Sequence, residues 1–179
     1  KSVVSRLLSL MGYPVYDCDS NAKRLMDESE DIHRGLVDIF GPPAVTPEGI
    51  NRAYIASIAF KDAEKLSKLN SLVHPAVLHD FDRWAQQNGE IVFVETAILS
   101  ESGRSKSVGA VWSVEAPLEC RVERVMVRNA MSRQDVMRRI SSQATTIPDE
   151  ITSVTHLIND DSHALIPQIV AAIQREHRE

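Results

Sequence analysis

Short β-prone runs alternate along this chain with longer segments in which apolar residues recur at helical spacing. The runs at residues 91–95 and 110–114 are almost continuously apolar, a pattern typical of parallel strands that are buried on both faces. A first strand is predicted to start at Pro14, and residues 155–158 form the last candidate. This alternation indicates an α/β fold, a parallel β-sheet flanked by helices. Four strands are visible, and about five are expected in the complete protein.

Helical segments lie between and around these strands. The first carries Val4, Leu7 and Leu8 at helical spacing and ends at Gly12, which tolerates the left-handed turn that closes a helix. A long helical stretch over residues 50–87 is predicted to be interrupted at His74-Pro75, because proline disfavours helix at the residue before it. The same periodicity predicts other helices that begin at Asp19 or Ser20, at Ile32, at Pro117, at Ser132 and at Ser162.

The composition limits the fold and the partners of the chain. A chain of 179 residues, 43% of them hydrophobic, is long enough for one buried core, so a single domain over residues 1–179 is predicted. The formal net charge of -5 argues against a nucleic-acid partner, which usually meets a basic surface. No apolar run reaches the roughly 18 residues of a membrane span, and no signal peptide is evident, so a cytoplasmic protein without a membrane partner is expected. Cys18 and Cys120 match no metal-site spacing.

Polar residues follow each of the predicted strands. An open α/β sheet binds its ligand at the carboxyl ends of its strands, so these residues are the candidates for a functional site. They are Asp17 and Asp19, Glu95 and Glu101, Glu115, and Asn159 with Asp160.

The chain opens on Lys1-Ser2, which an amphipathic helix follows at once. A Walker A loop, Gly-x-x-x-x-Gly-Lys-Ser/Thr, passes into its helix in this way: its lysine reaches the outer phosphates of ATP and its hydroxyl binds Mg²⁺. A Lys-Ser pair at a chain start is usually accidental, so two residues alone do not establish such a loop. The interpretation of Lys1 and Ser2 depends on the rest of the chain.

An acidic turn, Asp17-Cys18-Asp19, lies where the first strand gives way to a helix. One of its carboxylates could accept the proton of an acceptor hydroxyl that is held near the phosphates. The alternative is a solvated turn in which Asp19 caps the helix. The two roles are compatible, because a carboxylate at a helix start can fill both.

Arginines are concentrated in the two helices predicted after Pro117. Arg124 and Arg128 lie four residues apart on one helical face, so both could reach the same anion and offset the charge that develops in phosphoryl transfer. A solvated basic face is the alternative for each of them. The other arginines of this group are Arg121, Arg133, Arg138 and Arg139.

Two further candidates have structural alternatives of their own. His74 precedes Pro75 in the long helical stretch, and a lone histidine is more often structural than catalytic. Glu95 and Glu101 flank residues 97–99 after a predicted buried strand. An acid in that place commonly holds Mg²⁺ directly or through water, although an ordinary capped loop would also explain it.

In their order and spacing these features resemble the dephospho-CoA kinase family over nearly the whole chain. That family has a Walker A loop ending Gly-Lys-Ser and then a strand that closes in Asp-x-Asp, matched by Asp17-Cys18-Asp19. Its helical substrate region carries Leu-x-x-x-x-His-Pro, matched at residues 69–75, and its lid carries the arginine pair matched by Arg124 and Arg128. Further landmarks are matched at residues 97–101, 114–119 and 157–159, with Ala97 in place of the usual proline.

The resemblance implies a P-loop NTPase-type parallel sheet with a helical acceptor-binding insertion over about residues 30–88 and a helical lid over about residues 117–145. It implies phosphorylation of the 3′-hydroxyl of dephospho-CoA by ATP, the last step of coenzyme A synthesis, in a monomer or weak homo-oligomer. Asp19 would accept the proton, Lys1 and Ser2 would serve the phosphates and Mg²⁺, and Arg124 and Arg128 would act from the lid. Asn159 would lie near the adenine, and His74 and Glu101 would bind the acceptor.

Two other functions remain open at this point. The chain could be a P-loop kinase for another small acceptor, such as a nucleoside or a sugar acid, or a degenerate nucleotide-binding module without catalysis. We also expect an upstream segment to supply the glycines of the Walker A loop. Without the backbone amides of that loop, a protein of this literal sequence is expected not to bind ATP.

Overall fold

The computed structural model describes residues 1–97, 99, 108–142, 147 and 151–176. The chain divides into two compact units, Pro14–Thr96 and the combination of Lys1–Tyr13 with Ala97–Glu179. Pro14–Thr96 is called the central unit below, and the other is called the terminal unit. The prediction of a single domain stays a prediction.

The central unit contains a parallel pair of strands, a small hairpin and four helices among its described residues. Strands β1 and β4 run parallel, with Val15 opposite Phe93 and Asp17 opposite Glu95. The hairpin of β2 and β3 is antiparallel, and Gly49, which directly follows its turn at residues 47–48, has a φ of 115° that favours glycine. The elements are β1 Val15–Asp17, α2 Cys18–Glu28, α3 Glu30–Phe40, a 3-10 helix Pro42–Ala44, β2 Val45–Thr46, β3 Gly49–Ile50, α4 Arg52–Ala59, α5 Ala63–Gln87 and β4 Phe93–Glu95.

Helix α3 supplies one of the two apolar clusters of the central unit. Its residues Ile32, Leu36 and Phe40 recur every four positions and are all buried, as the sequence periodicity predicts. The other cluster joins Tyr16 and Cys18 to Val73, Val77 and Phe81 of α5. The strand and the long helix are therefore held together by an apolar core within this unit.

The long helical stretch is interrupted at a different place from the one predicted. Helix α5 runs without a break through Pro75, while the chain turns between α4 and α5, where Asp62 caps α5 by accepting hydrogen bonds from the amides of Glu64 and Lys65. Pro75 is exposed, and the carbonyl that loses its donor belongs to exposed Ser71, where water can replace the missing bond. The buried face of α5 thus outweighs the local preference of the proline.

The terminal unit is built on a second parallel pair of strands. Strands β5 and β6 pair over five residues each, from Val111 opposite Val154 to Glu115 opposite Ile158. Ser132 caps α7 as predicted, since its hydroxyl oxygen accepts a hydrogen bond from the Asp135 amide. The described elements are α1 Ser2–Leu10, β5 Val111–Glu115, α6 Leu118–Asn129, α7 Arg133–Ser142, β6 Val154–Ile158 and α8 Leu165–Glu176.

The α/β class and the parallel pairing of strands are confirmed, but a five-stranded sheet is not seen. The described residues form three separate two-stranded sheets. Strand β4 is shorter than predicted and mostly half-buried, so the expected burial on both faces is not observed within its three residues. The hairpin of β2 and β3 was not predicted, because strands of two residues are too short to show a period. None of the described helices is long and apolar enough to cross a membrane.

Candidate functional site

The turn between β1 and α2 is organised by Asp17. Its backbone is extended, and its Oδ1 accepts hydrogen bonds from the amides of Asp19 at 3.0 Å and Ser20 at 3.4 Å. The Ser20 hydroxyl donates to Oδ2 at 2.6 Å. Asp17 therefore caps the helix, and the prediction of a cap at Asp19 or Ser20 is wrong by two or three residues. The strand ends directly in its capping residue, so no turn residue is left between the two elements.

Asp19 lies in the first turn of α2, where its side chain is exposed. Because Asp17 fills the capping position, the Asp19 carboxylate is not needed to start the helix. It makes no hydrogen bond to another described side chain or backbone group. A carboxylate in this position can accept a proton from a ligand without first breaking an internal bond.

Glu95 is the second acid at this end of the sheet in the central unit. It lies directly opposite Asp17 in the register of β1 and β4, and only 9% of it is exposed. The structure thus brings two of the predicted strand-end acids together. Glu101, the third acid predicted near them, lies outside the described residues.

In the terminal unit, Arg124 connects α6 to the loop after β6. Its Nη1 donates to the backbone carbonyl of Asn159 at 2.9 Å, and its Nη2 donates to Asp161 Oδ1 at 2.7 Å. The backbone amide of Asn159 donates to the backbone carbonyl of Glu115 at 2.8 Å, which extends the strand pairing by one bond. Two predicted site residues, Arg124 and Asn159, are therefore in direct contact.

The remaining described arginines of α6 and α7 differ in how they are held. Arg128 is exposed in the last turn of α6, and its Nε donates to the neighbouring Asn129 side chain at 3.1 Å. Arg133 makes two hydrogen bonds of 2.9 Å and 2.8 Å to the exposed Glu119 carboxylate, which join α7 to α6. Arg138 pairs with Asp135. Surface pairing thus accounts for Arg133 and Arg138, while Arg128 contacts only its neighbour among the bonds seen.

The other predicted site residues lie on helices of one unit or the other. Lys1 precedes α1 in the terminal unit, and its carbonyl accepts a hydrogen bond from the Ser5 amide at 3.1 Å. Ser2 is the first residue of that helix. His74 is half-buried within α5 of the central unit.

Sequence reasoning missed two acids that organise the polar residues. Asp161 pairs with Arg124 and adopts a φ of 67°, a left-handed conformation that aspartate tolerates better than most residues. Asp80 is buried on α5 and pairs with Arg24 of α2. Asp161 directly follows the predicted Asn159 and Asp160, so its place after a strand was a usable signal. Asp80 had no such signal in the sequence, because helical periodicity does not show which charged residue lies on the buried face.

Glu115 at the end of β5 belongs to a third polar group. Its Oε1 is 2.6 Å from His156 Nδ1 and accepts a hydrogen bond from the Ser113 hydroxyl at 3.3 Å. The hydrogen bond with His156 holds the pKa of the Glu115 carboxyl below its ordinary value. Both side chains are more than half exposed, so this pair adds little stability.

The chain is similar to dephospho-CoA kinases in sequence and in structure. The family model described as dephospho-CoA kinase matches residues 1–164. A dephospho-CoA kinase of Bacteroides fragilis is 35% identical over 175 residues, which cover 97% of this chain and 85% of the relative. One of Porphyromonas gingivalis is 34% identical over 176 residues, covering 97% and 87%.

Solved structures agree with these matches. A crystal structure of a Thermus thermophilus protein superposes with a TM-score of 0.77 at 31% identity, covering 99% of this chain and 90% of the other. The dephospho-CoA kinase of Campylobacter jejuni superposes with a TM-score of 0.64 at 23% identity, covering 97% and 89%, which supports the fold alone. From the family match, the identities and their coverage, the chain belongs to the dephospho-CoA kinase family, the ATP-dependent kinases that carry out the final step of coenzyme A synthesis.

Proposed function

We propose that this chain moves the γ-phosphoryl group of ATP to the 3′-hydroxyl of dephospho-CoA with Asp19 as the proton acceptor. The observation that carries this proposal is that the two aspartates of the β1–α2 turn have different roles. Asp17 caps the helix, and Asp19 is left exposed with no described hydrogen-bond partner for its carboxylate. The structural alternative for Asp19, a capping role, is therefore filled by another residue.

The chemical step needs few protein groups. As the 3′-oxygen attacks the γ-phosphorus, the bond from that phosphorus to the β,γ-bridging oxygen breaks and ADP leaves. The hydroxyl proton passes to a carboxylate, which is the role assigned to Asp19. In such a transfer the protein contributes mainly position and charge.

Lys1 and Ser2 are the proposed phosphate and metal residues of a P-loop NTPase-type fold. They occupy the start of α1, and a helix start favours bound phosphate because its amides and its dipole are directed toward the anion. Mg²⁺ is usually held by one or two protein oxygens together with substrate phosphates, so the Ser2 hydroxyl suits it without a cage of acids. When bound, the metal would neutralise charge on the β- and γ-phosphates.

Arg124 and Arg128 are the proposed cations of a lid over about residues 117–145. The bond from Arg124 to exposed Asp161 is of a kind worth about 1 kcal/mol or less, so a nucleotide phosphate can compete for this guanidinium. Asn159, whose carbonyl also binds Arg124, would then lie beside the adenine. Arg128 can reach outward from the exposed end of α6.

The acceptor would bind along the helical insertion over about residues 30–88. His74 on α5 and Glu101 after β4 are the proposed acceptor-binding residues. A cytoplasmic location is also proposed.

The first test is to incubate the intact protein with Mg-ATP and dephospho-CoA and to follow ADP and coenzyme A. Turnover with a nucleoside but not with dephospho-CoA would point to another acceptor, and thermal stabilisation by ATP without turnover would point to a non-catalytic module.

The role of Asp19 is tested by Asp19→Asn. The amide keeps the shape of the side chain but cannot take the proton, so kcat is expected to fall by about 10²–10⁴ while the affinity for ATP changes less than about twofold. Asp27→Asn is the matched control, because Asp27 is an exposed aspartate at the other end of the same helix and pairs with Arg52. An unchanged kcat in Asp19→Asn would remove this residue from its role.

A further inference from the structure

A carboxylate is buried in the core of the central unit at Asp80 on α5. Only 9% of the residue is exposed. Its Oδ2 accepts hydrogen bonds from the Tyr16 hydroxyl at 2.7 Å and from Arg24 Nη2 at 2.5 Å, and its Oδ1 accepts one from Arg83 Nη2 at 3.1 Å.

The charge of Asp80 is stabilised by its partners. Burial raises the pKa of the carboxyl, but the Tyr16 hydroxyl and the charges of Arg24 and Arg83 outweigh burial, so the pKa lies below its ordinary value. Val73, Val77 and Phe81 surround this position on α5. An apolar side chain here would pack without any cost of desolvation. Packing alone therefore does not explain an acid at this position.

The partners of Asp80 come from elements on both sides of the β1–α2 turn. Tyr16 is the residue immediately before Asp17, and Arg24 is one turn further along α2 than Ser20. The chain between them contains the capping residue Asp17 and the proposed proton acceptor Asp19. One carboxylate on a third element thus fixes the chain on both sides of that turn.

Further hydrogen bonds carry this restraint back to the start of the helix. Arg24 Nε donates to Asn21 Oδ1 at 3.2 Å, and Asn21 Nδ2 donates to the Asp17 carbonyl at 2.9 Å. Arg24 Nη1 also donates to Glu28 at 2.9 Å. The guanidinium is therefore held at three nitrogens, and its orientation is coupled through Asn21 to the backbone of the capping residue.

Arg83 differs from Arg24 in what it connects. It lies three residues after Asp80 on the same helix, so its ion pair joins no second element. Both arginines donate to the same carboxylate, yet only Arg24 links α5 to α2. A comparison of the two arginines therefore separates compensation of the Asp80 charge from positioning of α2.

We propose that Asp80 and Arg24 are positioning residues that hold α2 against α5 and so orient Asp19 for catalysis; this inference rests on the proposed function of Asp19. Neither residue touches the reacting atoms in this role. Tyr16 fixes the strand side of the same turn, and its ring packs against Phe81 with centroids 5.4 Å apart.

The test compares Arg24→Gln with Arg83→Gln in the intact protein. Each variant removes one cation from Asp80, and Arg24→Gln is expected to lower Tm more than Arg83→Gln, because it also loses the bonds to Asn21 and Glu28. Arg24→Gln is expected to lower kcat for dephospho-CoA by about tenfold or more, because a small misplacement of a reacting group is costly, with KM for ATP unchanged. Arg83→Gln is expected to keep kcat within about twofold. Equal losses of kcat in the two variants, or a normal kcat in Arg24→Gln, would overturn the inference.

A double-mutant cycle with Asp19→Asn shows whether Arg24 acts through Asp19. If it does, Arg24→Gln lowers kcat much less in the Asp19→Asn background than in the wild-type background. An equal loss in both backgrounds would assign Arg24 to a different task and overturn the inference. A wild-type protein that is inactive on dephospho-CoA, or an Asp19→Asn variant with normal kcat, would instead overturn the proposed function, so the two failures are distinguishable.

Discussion

Two arginines, one in each unit, are held by aspartates in opposite surroundings. In the central unit Arg24 pairs with Asp80, whose side chain is 12% exposed. In the terminal unit Arg124 pairs with Asp161, whose side chain is 77% exposed. The two N–O distances, 2.5 Å and 2.7 Å, are similar, so distance alone does not distinguish the pairs.

Burial gives the two pairs different properties. Water and salt screen the Arg124 pair, so its guanidinium can exchange the carboxylate for a phosphate at little cost. The Asp80 charge is screened far less, and breaking its bonds would leave a poorly solvated carboxylate in the core. The first arrangement suits a cation that changes partners when nucleotide binds, and the second suits a residue that must not move.

The largest effect on stability is expected from the comparison of Asp80→Asn with Asp161→Asn. Asp80→Asn keeps the size of the side chain but loses its charge, and it is expected to lower the free energy of unfolding by about 1–3 kcal/mol, below the cost for a fully buried pair because Arg24 is 41% exposed. Asp161→Asn is expected to change it by less than about 0.5 kcal/mol. Asparagine also tolerates the left-handed backbone of Asp161, so the comparison isolates charge.

Urea denaturation of both variants measures this difference. Repeating the denaturation in high salt sharpens the comparison. Salt should reduce the loss of unfolding free energy in Asp161→Asn but not the loss in Asp80→Asn. Equal losses of stability in the two variants would break the comparison, since burial would then not set the strength of the pair.

A smaller effect is expected from Pro75→Ala in α5. Alanine restores an N–H donor for the Ser71 carbonyl in the helix interior, so the free energy of unfolding is expected to rise by about 1 kcal/mol after the greater freedom of the unfolded chain is subtracted. Pro43→Ala is the control, because Pro43 lies at the start of the 3-10 helix, where no such donor is needed. A rise in Pro43→Ala as large as in Pro75→Ala would contradict this explanation.

Pro75 also shows which parts of the fold could be predicted from sequence. Helix α3 was predicted to within two residues at its start and to the residue at its end, Phe40, because its buried residues repeat at a fixed period. Local rules failed in two places: burial of one face carries α5 through Pro75, and β1 ends directly in Asp17, which caps α2 in place of Asp19. The two-residue strands of the hairpin carry no period to detect.

The candidate site divides in the same way. Residues in recognisable motifs, such as Asp19, Arg124 and Asn159, could be named from spacing and strand ends. Of their organising partners, Asp161 follows a strand and could have been named in the same way. Asp80 could not, because it acts through a contact with Arg24, which lies 56 positions away in sequence. Long-range pairing of this kind leaves no trace in local periodicity.

The smallest effect is expected at acidic pH, in the loop after β6. The Asp160 carboxyl accepts hydrogen bonds from the amides of His163 and Ser162 and from the His163 ring, which lower its pKa to about 2. An unfolded aspartate titrates at about pH 3.9, so the stability that Asp160 contributes is complete above that pH and is lost as the pH falls toward about 2.

Asp160→Asn keeps an oxygen that accepts from the amides and removes only the charge. The difference in unfolding free energy between wild type and variant should therefore be constant at neutral pH and narrow between about pH 4 and pH 2. A constant difference across that range would mean that the charge of Asp160 adds nothing to stability, and that this carboxylate acts only as a hydrogen-bond acceptor for the loop.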